Sequence, residues 1–368
     1  MFGDPELNIN QLEAHLLRAT VTHDFSQFLK GNFNVFYGDY DKLYQNFYAS
    51  GYSQANSPDQ VTLDAYLDTT QREHLILSAD LIGEFFTGDI GHTIVSGVEL
   101  IDTTSNQDRW NAYWDTTSDD NEIFNVARPL NLRGGVGVNA AGQTTTNRFD
   151  VDLNDDTRVG IDVFSFYLQD EIAFNEQWHA VIGGRFDSFD IEVFNVKANE
   201  TRSRRDEEVS PRLGLIYKPQ QNVSLYTSFS ETFLPRSGEQ FANINGSNNA
   251  LDPNTYQNLE AGLKWDFSQG LSLTTSIFEI EQSSPQVADN DPSTLDVIDS
   301  QTTGFEVQLQ GMVTDRWFVS AGYSYLDGEQ VNRSGPTGLR PRELPEHMFS
   351  VWNNYQVNSR LGLGLGLV

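Results

Sequence analysis

The sequence predicts an all-β protein, an antiparallel transmembrane β-barrel, and two features of the chain point to this fold. Apolar and polar residues alternate along many segments. In 209–217 the odd-numbered positions are Val209, Pro211, Leu213, Leu215 and Tyr217. A period of two places successive side chains on opposite faces of a sheet. The connections also alternate between very short turns, such as Lys218–Gln221, and long polar loops. Short periplasmic turns and long extracellular loops are typical of barrels that cross an outer membrane.

The composition fits a sheet that has one face toward water and one apolar face. Hydrophobic residues make up 38% and aromatic residues 12% of the 368 positions. This is expected when apolar side chains occupy every second strand position and aromatic rings mark the two membrane interfaces. The net charge of −29 argues against a nucleic-acid partner, because phosphates select lysine and arginine. The absence of cysteine excludes disulfides, thiolate metal sites and a cysteine nucleophile.

We expect about fourteen strands, joined by long loops at one end and tight turns at the other. The loops are expected between 45 and 71, at 103–156, at 197–206, at 285–298 and at 331–344. The expected strands are 12–25, 32–45, 71–86, 90–102, 158–172, 177–194, 209–217, 223–230, two around the turn 266–270, 300–311, 317–329, 346–357 and the final LGLGLGLV.

Four successive segments carry the pattern of a known family. Residues 165–189 contain Tyr-x-Gln-Asp, a short turn, a tryptophan and Gly-x-Arg-x-Asp, and residues 209–235 form the next hairpin. Residues 251–267 contain Leu-x-Pro and Gly-x-Lys, and residues 302–329 contain Gly-x-Glu before a turn and Tyr-x-Tyr after it. In this order the segments resemble TonB-dependent siderophore receptors, most clearly over 158–368.

The resemblance implies a barrel of about 22 antiparallel strands around an N-terminal plug domain. It also implies uptake of ferric siderophores across the outer membrane of a Gram-negative bacterium, energised by the TonB complex. Residues 1–15 lack the pattern of a secretory signal peptide. We therefore expect 1–368 to be a barrel fragment that lacks the plug, the TonB-contacting region and the closing strands. Because such a fragment has two open strand edges, it is expected not to transport alone.

The same resemblance implies the partners of the intact protein. They are a ferric siderophore as the transported ligand, the TonB complex through the missing N-terminal region, and outer-membrane lipid with lipopolysaccharide. No covalently bound cofactor, metal site or catalytic residue is expected, since the chain has no HExxH, GxSxG or phosphate-loop motif. The look of 231–267 favours a catecholate over a hydroxamate ligand.

Two other functions remain open from the residues alone. The first is a complete passive porin, and the second is a soluble secreted β-protein that binds or cleaves glycans. A soluble protein would have polar residues on both faces of its strands. The apolar positions Leu75, Leu77, Leu81, Leu213 and Leu215 instead indicate a face toward lipid. The short turns from Asn175 onward recur roughly every 45 residues, which is also the length of a β-propeller blade. A blade requires four short strands per repeat, whereas this sequence has two long ones.

Arginine beside aromatic residues is the chemistry that suits an anionic, flat siderophore. The candidate ligand contacts, all expected in loops or just before a strand, are Arg109, Trp110, Tyr113, Trp114, Arg202, Arg204, Arg236, Phe241, Arg340 and Arg342. The alternative for each is a solvated loop arginine, a contact to lipopolysaccharide, or an interfacial aromatic residue.

Overall fold

The computed structural model describes residues 6–126, 132–235, 251–268, 270–287, 295–332, 338–341 and 343–368. Within these ranges the chain forms seventeen strands, and no helix that could cross a bilayer is present. The strands are β1 Ile9–Ser26, β2 Leu29–Ser53, β3 Ser57–Thr87, β4 Ile90–Trp114, β5 Asn121–Asn125, β6 Leu132–Arg133, β7 Val136–Val138, β8 Thr144–Ala173, β9 Trp178–Asn195, β10 Glu200–Gln220, β11 Val223–Leu234, β12 Asn254–Ser268, β13 Leu271–Val287, β14 Leu295–Thr314, β15 Trp317–Asn332, β16 His347–Asn358 and β17 Leu361–Leu367.

The long strands form one antiparallel meander in chain order. Strands β1 to β4 pair in succession, β4 pairs with β8, and β8 to β17 pair in succession. These are the fourteen strands that the alternation predicts, so the predicted all-β antiparallel fold is confirmed. The three short strands β5, β6 and β7 lie in the connection between β4 and β8.

Several strands run far into the predicted loops. Strand β2 continues to Ser53 and β3 begins at Ser57, so most of the loop expected between 45 and 71 is sheet. Strand β4 continues to Trp114, and β10 begins at Glu200. The loop predictions were wrong here because these segments are rich in Ser, Asn, Asp and Tyr, a composition typical of loops. Val61, Leu63 and Ala65 nevertheless alternate with polar residues on β3, and the backbone ladder continues through them.

The two faces of the sheet differ sharply in chemistry. One row of directly opposed residues crosses seven strands and is entirely apolar: Val21, Phe33, Ala79, Val98, Phe166, Phe186 and Val209. The row one residue away points to the opposite face and is polar: Thr20, Asn34, Ser78, Glu99, Ser165, Asp187 and Glu208. The apolar face is the outer, lipid-facing surface, and the polar face is the inner wall.

Aromatic residues mark the periplasmic edge of the outer face. Trp178 stacks on Tyr217 with ring centroids 4.5 Å apart, beside the short turn between β8 and β9. Other outer-face aromatics next to tight turns are Phe85, Trp265 and Trp317. On β3 the apolar outer positions extend from Leu75 to Phe85, and the next outer residue, Glu73, is charged. This length matches the span of a transmembrane strand.

Glycines on the inner wall make room for aromatic rings on the neighbouring strand. Four direct cross-strand pairs join a glycine and an aromatic residue: Gly97 with Tyr167, Gly262 with Tyr226, Gly304 with Phe278, and Gly366 with Trp352. A Cβ atom on Gly262 would lie 2.6 Å from the Tyr226 ring. Each ring therefore lies flat against the wall, where a glycine allows close approach.

The described residues between β4 and β8, 115–126 and 132–143, fold into a compact cap. It covers the outer face of β3 and β4 above the membrane-spanning band, and it encloses a small apolar core. The buried core residues are Phe47, Val61, Leu63, Ala65, Ala112, Trp114, Phe124 and Leu132. The expectation of one long irregular stretch over 103–156 was therefore wrong. Apolar outer-face residues above the membrane have no lipid to cover them, and the cap removes them from water.

Replacing Gly262 with alanine should destabilise the barrel wall. The new methyl group would push the Tyr226 ring off the wall and break its hydrogen bond to Glu260. We expect a loss of about 1–3 kcal/mol in the free energy of unfolding, measured by urea unfolding of the full gene product in lipid vesicles. Gly160→Ala is the matched control, since no atom lies within 4 Å of its Cβ position. Equal unfolding midpoints for the two variants would contradict this account.

Replacing Trp114 with alanine should open the cap while leaving the barrel intact. Trp114 is fully buried and packs edge-on against Phe47 and Phe124, with centroid distances of 6.0 and 5.3 Å. Truncation of a buried tryptophan removes about 3–5 kcal/mol of local stability. The measurement is the rate of protease cleavage within 115–143 on intact cells, with Tyr113→Ala as the control. An unchanged cleavage rate would show that this core does not hold the cap together.

Candidate ligand-binding site

The inner faces of β1 to β4 form a recess above the membrane-spanning band. Strand β2 places Tyr40, Tyr44 and Tyr48 on this face, because residues four apart on a strand point the same way. The recess has a volume of about 540 Å³. We name it the inner recess, and its lining residues are Asn10, Leu12, Tyr40, Lys42, Tyr44, Tyr66, Asp68, Thr70, Arg72, His74, Gln107 and Arg109.

Strand register brings these side chains together. Tyr44 lies opposite Asp68, and Asp68 lies opposite Arg109 on the next strand. One row closer to the membrane, Lys42 lies opposite Thr70. Directly opposed residues on neighbouring strands have Cβ atoms about 5 Å apart, so these rows form a continuous polar and aromatic surface.

Arg109 is the most firmly held charge in the recess. Its Nε and Nη2 atoms donate to the two carboxylate oxygens of Asp68 at 2.6 and 2.7 Å. The guanidinium also lies over the Tyr66 ring, 4.7 Å from the centroid. The hydrogen bond to Asp68 raises the pKa of Arg109 above its usual value. A bidentate pair of this kind fixes both side chains and largely cancels their charges.

Two further cations line the recess. Lys42 is exposed, and its Nζ lies 6.0 Å from the Tyr44 ring centroid. Arg72 is half-buried and donates from Nε to Ser105 Oγ at 3.2 Å. Burial lowers the pKa of Arg72, because desolvation disfavours a charge. An arginine nevertheless stays protonated at neutral pH, so both side chains present positive charge to the recess.

The tyrosines and His74 supply the aromatic part of the surface. Tyr40 meets His74 edge-on at 5.9 Å, and Tyr66 lies between Tyr44 at 5.8 Å and Tyr48 at 5.9 Å. Burial raises the pKa of Tyr48 to about 12, with help from its hydrogen bond to Asp64. Burial, followed by the nearby Tyr44, raises the pKa of Tyr66. The hydroxyl groups of Tyr48 and Tyr66 therefore remain neutral and can donate hydrogen bonds.

The predicted contacts at 109–114 lie on a strand. Arg109 lies on β4 and lines the inner recess, so its assignment to a loop was wrong, and its contact with ligand stays a prediction. Trp110 and Tyr113 are half-buried on β4, and the Arg148 guanidinium lies 5.1 Å from the Tyr113 centroid. Trp114 is 0% exposed in the cap core. It has no surface to offer a ligand, because its indole is needed to fill that core.

Arg202 and Arg204 were also expected in a loop, and both lie on β10. Arg202 donates from Nη2 to Glu200 at 2.7 Å. Arg204 forms an ion pair with Asp206 at 2.5 Å, and both side chains are buried. The loop prediction was wrong because the dense charges of this segment pair with each other along the strand.

Arg340 lies before β16, as expected, and ties its segment to the sheet. It donates to the carbonyl oxygens of Leu326 at 3.2 Å and Leu344 at 3.0 Å. Arg236, Phe241 and Arg342 lie outside the described residues. Their contact with ligand, like that of the other candidates, stays a prediction.

The sequence reasoning missed most of the inner recess. Tyr40, Tyr44, Tyr66 and Arg72 were not among the candidates. Tyr40 and Tyr44 were assigned to a strand without a role, and Tyr66 fell in an expected loop. The repeat of tyrosine at 40, 44 and 48 was the available signal, because even spacing predicts one shared face.

Comparison with known proteins places the chain in a family. The sequence matches the family described as TonB dependent receptor-like, beta-barrel, over residues 4–367. The family match begins well before residue 158, whereas the motifs in the sequence are clearest over 158–368. A probable TonB-dependent siderophore receptor, PiuA of Acinetobacter baumannii, is 32% identical over 226 residues, which cover 55% of this chain and 30% of the relative.

Two more comparisons extend over nearly the whole chain. The metal-pseudopaline receptor CntO of Pseudomonas aeruginosa is 25% identical, covering 96% of this chain and 48% of the relative. The crystal structure of the siderophore receptor PiuA from Acinetobacter baumannii superposes with a TM-score of 0.85 at 24% identity, covering 99% of this chain and 55% of that one.

The chain thus spans about half the length, or less, of the relatives that it matches. Within that span, the antiparallel meander, the apolar outer face and the family match over 4–367 agree. The chain belongs to the TonB-dependent receptor β-barrel family, whose members reside in the outer membrane of Gram-negative bacteria.

Proposed function

We propose that the complete protein containing this chain is an outer-membrane receptor that takes up ferric siderophores, with energy supplied by the TonB complex. The family match over residues 4–367 carries this proposal. It is supported by relatives described as siderophore, ferrichrome and ferrioxamine receptors. Residues 1–368 would form part of the barrel domain, and a plug domain and TonB-contacting segment would belong to other parts of the receptor.

The inner recess is the proposed first binding surface. It lies above the membrane-spanning band, on the face that opens to the interior of the sheet. Aromatic rings and fixed cations can hold a ferric siderophore by stacking, hydrogen bonding and charge without direct ligation of the iron. Among the described residues, no group of three or more His, Asp or Glu side chains is arranged to hold a metal ion. The iron would therefore arrive and leave inside its chelator.

The remaining inner wall suits passage more than retention. Strands β11 to β15 present small hydroxyl and amide side chains on the inner face, including Ser228, Ser276, Gln308 and Ser320. Such groups offer weak, exchangeable hydrogen bonds, and the charged side chains among them include Glu260, which accepts a hydrogen bond from Tyr226, and Lys264, whose Nζ lies 5.5 Å from the Tyr226 centroid. A ligand released from the recess would move along this surface once the plug rearranges.

The outer surface is the proposed contact for membrane lipid, with lipopolysaccharide around the extracellular part. The catecholate preference drawn from the sequence of 231–267 also remains part of the proposal. The family match favours a gated receptor over the passive porin, and the continuous apolar outer row counts against the soluble glycan-binding protein.

Uptake of radioactive iron tests this function. The full gene product, expressed in a siderophore-free Gram-negative strain that lacks its own receptors, should import iron from at least one ferric siderophore. Import should stop when the TonB gene is deleted, while binding to the cell surface should persist. Iron entry that is independent of TonB would favour the porin. The absence of both binding and import across a catecholate and hydroxamate panel would contradict the receptor.

A further inference from the structure

We propose that the inner recess selects anionic ferric chelates over neutral ones, and that Lys42 is a residue that determines this selectivity. The inference rests on the proposed receptor function and adds the charge class of its ligand.

The recess reverses the charge balance of the chain. The chain as a whole has 52 acidic and 23 basic residues. Three basic side chains, Lys42, Arg72 and Arg109, line the recess against one acidic side chain, Asp68. The bidentate pair of Arg109 with Asp68 is locally neutral. The lining of the recess therefore has a net positive charge, and Lys42 is its exposed cation.

Lys42 is the cation that a ligand can reach most readily. Its side chain is exposed on the inner face, and within the described ranges it takes part in no salt bridge. Its Nζ approaches Tyr44 at 6.0 Å from the centroid. The next carboxylate along the wall, Asp155, lies beside Arg109 and accepts hydrogen bonds from Thr157 and Asn195, at 2.9 and 3.0 Å. Both hydrogen bonds go to Asp155 Oδ1, and among the described residues no ion pair joins Asp155 to Lys42.

Partial burial of Arg72 strengthens the attraction between its positive charge and an anionic ligand. The guanidinium is half-buried against Ser105, where it has lost part of its hydration. An anionic ligand that enters the recess compensates for that lost hydration, while a neutral ligand does not. Charges in a partly enclosed site interact more strongly than in bulk water. The discrimination therefore arises within the recess, at distances shorter than the screening length of physiological salt.

The neighbouring tyrosines suit the same ligands. Tyr40, Tyr44 and Tyr66 line the recess around the two cations. They can donate hydrogen bonds to anionic oxygen atoms and stack on flat ligand groups. A neutral chelate would find the hydrogen bonds but would lack the Coulomb attraction.

The test compares binding of two ferric complexes to the full gene product on energy-depleted cells. Ferric tris-catecholate is an anion, and a ferric tris-hydroxamate is neutral. Reversing the charge with Lys42→Glu should weaken binding of the anionic complex about tenfold. Binding of the neutral complex should not change. Lys42→Arg keeps the charge and should retain the selectivity of the unmodified receptor.

Lys264→Glu is the matched control. Lys264 also lies near an inner-wall tyrosine, with Nζ 5.5 Å from the Tyr226 centroid, but on β12 and far from the recess in the sheet. It should leave the affinity for both complexes unchanged. Equal affinity of the unmodified receptor for both complexes, or equal losses of affinity for both in Lys42→Glu, would overturn the inference while the receptor function stands. Binding of neither complex by the unmodified receptor, together with no binding or import across the catecholate and hydroxamate panel, would contradict the receptor function itself.

Discussion

Backbone hydrogen bonding in lipid is the constraint on which this structure depends. A strand that crosses a bilayer must satisfy every N–H and C=O group through its neighbours. The continuous pairing does so for the long strands that have a neighbour on both sides, β2 to β4 and β8 to β16. Once neighbouring strands are paired continuously, the face to which a side chain points depends only on whether its position along the strand is odd or even. The row from Val21 to Val209 faces lipid, and the row from Thr20 to Glu208 faces the interior.

The inner wall shows how polar residues are accommodated at this density. Arg185 donates to both Glu99 and Asp187, each at 2.7 Å, and Ser165 donates to Asp187 at 2.5 Å. Glycine opposite an aromatic ring keeps bulky side chains flat, so that the wall stays thin. Above the membrane the inner face of β2 to β4 carries tyrosines and cations in place of these closed networks. The inner recess is therefore a part of the wall where charge is available to a ligand.

The sequence predicts most of the fold because apolar and polar residues alternate along the lipid-facing part of each strand. Leu75, Leu77, Ala79 and Leu81 alternate with polar residues, and the fourteen long strands follow from such runs. Above the membrane the alternation continues at Val61, Leu63 and Ala65, but loop-like polar residues surround it. Tyr66 and Arg109 sit in polar stretches that look like loops, although the ladder continues through them. Burial of Trp114 could not be predicted, because its core is built from residues as distant as Phe47 and Leu132.

The alternation of faces can be tested most directly by cysteine labelling, since the chain contains no cysteine. Single substitutions Leu77→Cys, Ser78→Cys, Ala79→Cys and Asp80→Cys would be made in the full gene product and placed in lipid vesicles. A water-soluble thiol reagent should modify positions 78 and 80, whereas fluorophores at 77 and 79 should be quenched by a lipid-bound quencher. Equal modification and equal quenching at all four positions would contradict a strand with one lipid face and one aqueous face.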